Sequence, residues 1–152
     1  MDYEALLAEV ENEGLTAKEK PLKYNNGRIK GKRIAIRENM PETQKKCVLA
    51  EELGHYYTTA GDILDQSKIE NRKQEFRARA WAYDKLIGLT GIINAYKHGC
   101  QNLYEMAEYL DVTEEFLRKA LQRYKNRYGE YTQIDQYVIF FEPYLAVLEV
   151  KD

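Results

Sequence analysis

Apolar residues recur along the chain at two different periods. Residues 2–13 place Tyr3, Leu6, Leu7 and Val10 on one helical face, and Gly14 stops the run. A polar stretch then reaches Lys23. Residues 27–38, GRIKGKRIAIRE, alternate instead: Ile29, Ile34 and Ile36 are separated by basic residues, the pattern of a strand or hairpin, with Asn25-Asn26-Gly27 and Gly31 as turns. Pro41 opens a helix expected to run through Tyr57 and to end before Gly61. After a polar linker, residues 70–89 read as a second long helix carrying Glu75, Phe76, Trp81 and Leu86, which Gly88 and Gly91 weaken or separate from a short helix ending near Gly99. Residues 103–110 and 113–128 read as two helices joined at Asp111-Val112. The tail, 137–150, is β-branched and aromatic with Pro143 as a turn, and predicts a short hairpin.

The fold class predicted is therefore α+β and mainly helical, with a small antiparallel sheet beside the Pro41 helix, further C-terminal helices and a terminal β hairpin. No internal repeat or low-complexity segment interrupts it. The expected division is a core over 1–100 and a helical, helix-turn-helix-like extension with its β segment over 101–152, packed together.

Composition narrows the class. With 152 residues, 44% hydrophobic and 32% charged, the chain can bury a core. Lys plus Arg number 23 against 25 Asp plus Glu. That near balance argues against a dedicated nucleic-acid binder, though it leaves room for a local basic patch. The acidic start and the lack of a long apolar run predict neither a signal peptide nor a membrane helix, hence a cytoplasmic protein. Two cysteines, Cys47 and Cys100, make no disulfide framework.

The chemistry concentrates in residues 47–58, CVLAEELGHYYT. At about 100° per residue, Glu51 and His55 lie about 40° apart on one helical face, with Leu49, Leu53 and Tyr56 grouped away from them. Gly54 removes bulk beside that face. This is the geometry of H-E-x-x-H, in which positions i and i+4 ligate zinc and the intervening glutamate is the general base. Here the first histidine is Glu51, and the residue in the base position is Glu52. Carboxylate oxygen ligates zinc at about 2.0–2.2 Å, and an oxygen-rich set also accepts manganese or other divalent ions. A third ligand is needed. His98 lies far along the chain in a surface turn, and Cys47 stands roughly 12 Å along the helix axis from His55. Glu75 on the next helix is the better candidate, because Ala78 and Ala82 follow it at helical spacing and let two helices approach closely. A solvated Glu/His pair remains the alternative.

The string Leu49-Ala50-Glu51-Glu52-Leu53-Gly54-His55-Tyr56 resembles the LAHELGHY signature of the ImmA/IrrE family of metallo-endopeptidases. Glu75-x-x-Ala78-x-x-Trp81-Ala82 resembles that family's second helix, E-x-x-A-x-x-F-A. The alternating stretch before the Pro41 helix resembles its edge strand, and Val112-Thr113-Glu114-Glu115-Phe116 its later helical segment. The resemblance implies a zincin-like core. It also implies His55 and Glu75 as metal ligands, Glu52 as catalytic base, Glu51 in the place of the first histidine, and Zn2+ as the metal. It implies a protein substrate in the cytoplasm, a prophage or mobile-element repressor, which the strand around Ile34-Ala35-Ile36 could hold by strand addition. Two readings of Glu51 follow: a carboxylate ligand in an active peptidase, or the mark of a relative that acts by binding its regulator without cutting it.

Residues 103–121 also have helix-turn-helix spacing, which raises a DNA-binding reading. The helix from Thr113 carries Arg118, Lys119, Arg123, Lys125 and Arg127, but its first turn is Glu114-Glu115, which would repel phosphates. Acids there are ordinary helix capping, so nucleic acid is not an expected partner of the protein, and protein contact or simple packing is the expected role of this helix.

Overall fold

A computed structural model describes residues 1–59 and 68–151, with the backbone alone for 68–70. Six helices and six strands lie among the described residues: α1 (Tyr3–Asn12), β1 (Thr16–Lys20), β2 (Gly27–Lys30), β3 (Arg33–Arg37), α2 (Glu42–Thr58), α3 (Lys68–Leu86), α4 (Gly88–His98), α5 (Leu103–Leu110), α6 (Glu114–Tyr128), β4 (Tyr131–Ile134), β5 (Tyr137–Phe140) and β6 (Ala146–Glu149). The fold is α+β, mainly helical and zincin-like. The polar linker expected between the two long helices falls on residues 60–67, outside the described residues.

The chain clusters into two compact units, Met1–Leu86 and Ile87–Asp152. The boundary lies earlier than the 100/101 division expected from sequence, because α4 groups with the C-terminal helices. Gly88 marks it. Its φ of +64° is a left-handed backbone that L side chains resist, and it breaks what would otherwise be one long helix.

In the first unit, Asp2 caps α1 by accepting from the Ala5 amide at 2.8 Å, and Tyr3, Leu6 and Val10 are buried. The sheet order is β1-β3-β2. β2 and β3 pair antiparallel, as the alternation predicts, with Gly27 opposite Ile36 and Ile29 opposite Ile34. β1 pairs parallel to β3, Thr16 opposite Arg33 through Lys20 opposite Arg37. The sheet is therefore mixed rather than purely antiparallel. Strand β1 falls in what the sequence presents as a polar stretch, because Thr-Ala-Lys-Glu-Lys has almost no buried position to supply a period-two signal. Pairing with β3 supplies the order that local sequence does not. This topology also corrects the substrate strand: Ile34-Ala35-Ile36 lies in the central strand, whose backbone groups are taken on both sides, and β2 is the edge nearest α2.

Helix α2 buries Leu49, Ala50, Leu53 and Gly54. Lys46, also buried, donates from Nζ to the Met1 carbonyl at 2.8 Å, so its charge is not left bare. The tightest approach in the unit is between α2 and α3. A Cβ on Gly54 would lie 2.9 Å from the Ala78 carbonyl carbon and 3.0 Å from its Cα, with the carbonyl oxygen closer still. Ala78 and Ala82 are fully buried. Small residues on both helices thus allow backbone-to-backbone contact.

In the second unit, Asn102 and Thr113 cap α5 and α6 through the Glu105 and Phe116 amides. Its core gathers Ile92, Leu117, Ala120, Tyr124 and Ile139. The C-terminal β segment is a three-stranded antiparallel sheet, β4-β5-β6, rather than a lone hairpin. Strand β4 joins through the tight turn at Asp135, whose φ is +52°. No helix among the described residues is long and apolar enough to cross a membrane.

Gly54→Ala should destabilise the protein by about 1–3 kcal/mol or more, because the added methyl meets backbone that cannot rotate away. Chemical denaturation checks this; a variant as stable as the parent would mean that the two helices part at little cost.

Candidate metal centre

Close packing at Gly54 brings α3 across the face of α2 that carries the Glu-Glu-x-x-His string. His55 Nε2 lies 2.9 Å from Glu75 Oε1. The imidazole side chain is 21% exposed and the Glu75 side chain 52%, so the pair lies at the surface end of the site and not in the core. Arg79, one turn after Glu75, approaches the other carboxylate oxygen at 3.8 Å.

Glu52 occupies the inner side of this site. Its carboxyl is pushed up to about 7, first by burial and then by the negative charges of Glu75 and Glu51. The Gly27 backbone lies directly against it. A Cβ on Gly27 would sit 3.2 Å from Glu52 Cγ, 3.3 Å from its Oε1 and 2.5 Å from Val48 Cγ1. The edge strand β2 can lie this near the carboxyl because position 27 has no side chain. Sequence alone suggests a turn role for Gly27. The signal that distinguishes the two roles is its place as the first residue of an alternating strand, where glycine often marks close backbone approach. Arg79 does not stand out in the sequence either, though its i+4 spacing from Glu75 is visible there.

Of the candidate residues, the structure joins His55 with Glu75 and sets Glu52 near both Glu75 and Glu51. Glu51 enters the site through its charge, which acts on Glu52. Cys47 is buried. His98 stacks on Tyr109, with ring centroids 4.4 Å apart in the second unit.

The donor set nevertheless suits a divalent cation. Two ligands of a tetrahedral zinc stand roughly 3.3 Å apart, and the 2.9 Å between His55 and Glu75 is within a few tenths of that. An imidazole lies against one carboxylate, and a cation there would offset the repulsion that Glu75 and Glu51 exert on Glu52.

A helix bearing a carboxylate and an imidazole one turn apart, a glutamate between them, and an acidic residue delivered by the following helix define the metallopeptidase class of zincin-like folds. A family model described as Peptidase_M78, the IrrE N-terminal-like domain, matches residues 3–122, and the chain belongs to that family. No curated protein sequence matches the chain.

Three of the cations of helix α6 are held in ion pairs, two of them within the helix. Arg118 pairs with Glu114 at 3.6 Å, Lys119 with Glu115 at 2.9 Å, and Lys125 with Glu142.

The raised Glu52 carboxyl has a consequence for stability. Between its unfolded value near 4.5 and its folded value of about 7, folding takes up a proton, so stability falls as pH rises through that window. Chelator-treated parent protein should lose melting temperature between pH 5 and pH 8, and Glu52→Gln should lose less. Parallel melting curves at both pH values for the two proteins would contradict this account.

Proposed function

We propose that the chain is a metal-dependent endopeptidase that cleaves a cytosolic regulatory protein, with a helix-turn-helix repressor of a prophage or mobile element as its substrate. The observation that carries this reading is the 2.9 Å approach of His55 to Glu75 across two helices, with Glu52 beside them. His55 and Glu75 would hold the metal, zinc or another divalent ion such as manganese, and Glu51 would be the third donor. A divalent cation held there supplies Lewis acidity toward a water and the scissile carbonyl.

The remaining work belongs to the chain's own groups. Glu52, with a carboxyl at about 7, takes a proton from the attacking water and returns it to the leaving amide nitrogen. Its value near neutrality suits both halves of that transfer. The burial that raises it also limits competing water. Edge strand β2 presents backbone donors and acceptors beside Glu52, so an extended substrate can pair there as an added strand.

A second reading is favoured by one observation. Glu51 stands where a histidine ligand would. On this reading the protein binds its regulator without cutting it.

Co-expression with a repressor from the same genetic neighbourhood, followed by immunoblotting for fragments, separates the two. Glu52→Gln keeps the shape and removes the base, and should lower cleavage by about 10²–10⁴. If repression is relieved equally by both proteins and neither yields fragments, the binding-only reading takes over. Metal content follows a different residue: Glu75→Ala should purify with much less zinc or manganese than the parent, while Glu52→Gln should retain it. Equal metal in the Glu75→Ala protein would remove Glu75 from the centre.

A further inference from the structure

The outer face of the first sheet has an extreme charge composition for a chain whose net charge is only -2. Lys18 and Lys20 on β1, Arg28 and Lys30 on β2, Lys32 in the turn and Arg33 on β3 line one shallow groove of about 740 Å³. No Asp or Glu lines it. All six cations are exposed, and among the described residues no carboxylate pairs with any of them. Glu19, the acid on β1, turns to the other face, where it meets Lys45 and Tyr3.

The arrangement works against the sheet. Lys30 stands directly opposite Arg33, and like charges in that position destabilise strand pairing. Lys18 and Arg28 flank Ala35 from either side in one cross-strand row. Ala35 is small, so the middle of the groove is low and its walls are positive. Tyr24, in the segment between β1 and β2, is 93% exposed and has no core role.

We infer that this face binds single-stranded nucleic acid. Cations at i and i+2 along β1 and β2 repeat at about 6.7 Å on one face, so one extended backbone can lay successive phosphates against them. Three strands spaced by about 4.8 Å make a platform about 10 Å wide, the width of one strand rather than a duplex. Tyr24 stands four residues after Lys20 and four before Arg28, in the segment that joins two strands of the groove, and an exposed aromatic there can stack a base while the groove tracks the backbone. An acidic peptide would need a carboxylate at every second residue to match this groove, whereas a nucleic acid carries its charge at every nucleotide. Arg28 and Lys30 alternate to the face opposite the one on which Gly27 meets Glu52, so occupancy there leaves Glu52 uncovered.

Fluorescence anisotropy of a labelled oligothymidine of about 16 nucleotides, titrated with the full chain, tests this. Affinity should fall between about 50 and 200 mM salt. Replacing Lys18, Lys30 and Arg33 together by Gln should flatten the log–log salt slope by about 2, at about 0.7 for each phosphate no longer neutralised, and weaken binding at least tenfold at the lower salt. Tyr24→Ala, at a site too exposed to affect folding, should weaken binding about fivefold or more. Circular dichroism melting confirms that each variant folds; if the triple variant does not, Tyr24→Ala and the parent's salt slope decide. The inference is overturned if the oligothymidine does not bind at low salt, or if a duplex of equal length or polyglutamate binds more tightly. It is equally overturned if Tyr24→Ala binds like the parent.

Discussion

The contact between Gly54 and the Ala78 main chain is the constraint on which the site depends. Side-chain packing between helices tolerates rotamer changes of several tenths of an ångström, but backbone against backbone does not. Because α2 and α3 touch there without intervening side chains, the residues one position after Gly54 and three before Ala78 meet as well. Those residues are His55 and Glu75. The distance between two chemically active groups is thus set by a neighbouring contact that has no chemistry of its own. Ala82, a turn further along and also fully buried, extends the same close seam.

Electrostatics adds a second layer. Glu75 and Glu51 act on Glu52 through their charge, and Arg79 reaches Glu75 at 3.8 Å. The strain is expressed at Glu52, whose carboxyl is pushed to about 7. Folding energy has been spent on concentrating negative charge, and such concentration is common where a cation or a proton transfer is part of the work. On α6 the opposite choice is visible, since its glutamates neutralise Arg118 and Lys119 within the helix.

Much of this is legible in the sequence, for reasons that differ by element. α5 is legible to its last residue because Asn102 and Asp111 punctuate it, and α2 because Pro41 opens it and Glu51 and His55 follow at helical spacing. Strand β3 is legible from Ile34 and Ile36 alone. The pairing of His55 with Glu75 can be anticipated because Gly54, Ala78 and Ala82 are small at matching spacings. What escapes is whatever depends on partners distant in sequence. β1 has no hydrophobic alternation and is a strand only because β3 lies beside it. The central position of β3 is a property of strand order, which alternation does not encode. The positive groove is hidden for a related reason: net charge is a sum, and a sum is blind to placement.

Helix α2 meets main chain on both flanks, Ala78 on one side through Gly54 and Gly27 on the other through Val48 and Glu52. Walls made of backbone cannot be trimmed. A cleft lined by side chains can be widened or reshaped by truncating them, which is how binding sites usually drift toward new ligands. Here two contacts of the inner boundary have main chain on one side, and the half-exposed side chains of Glu75 and Arg79 are the parts open to change. Diversification of this centre, natural or engineered, is therefore channelled to its outer edge, while its inner geometry is inherited as a block.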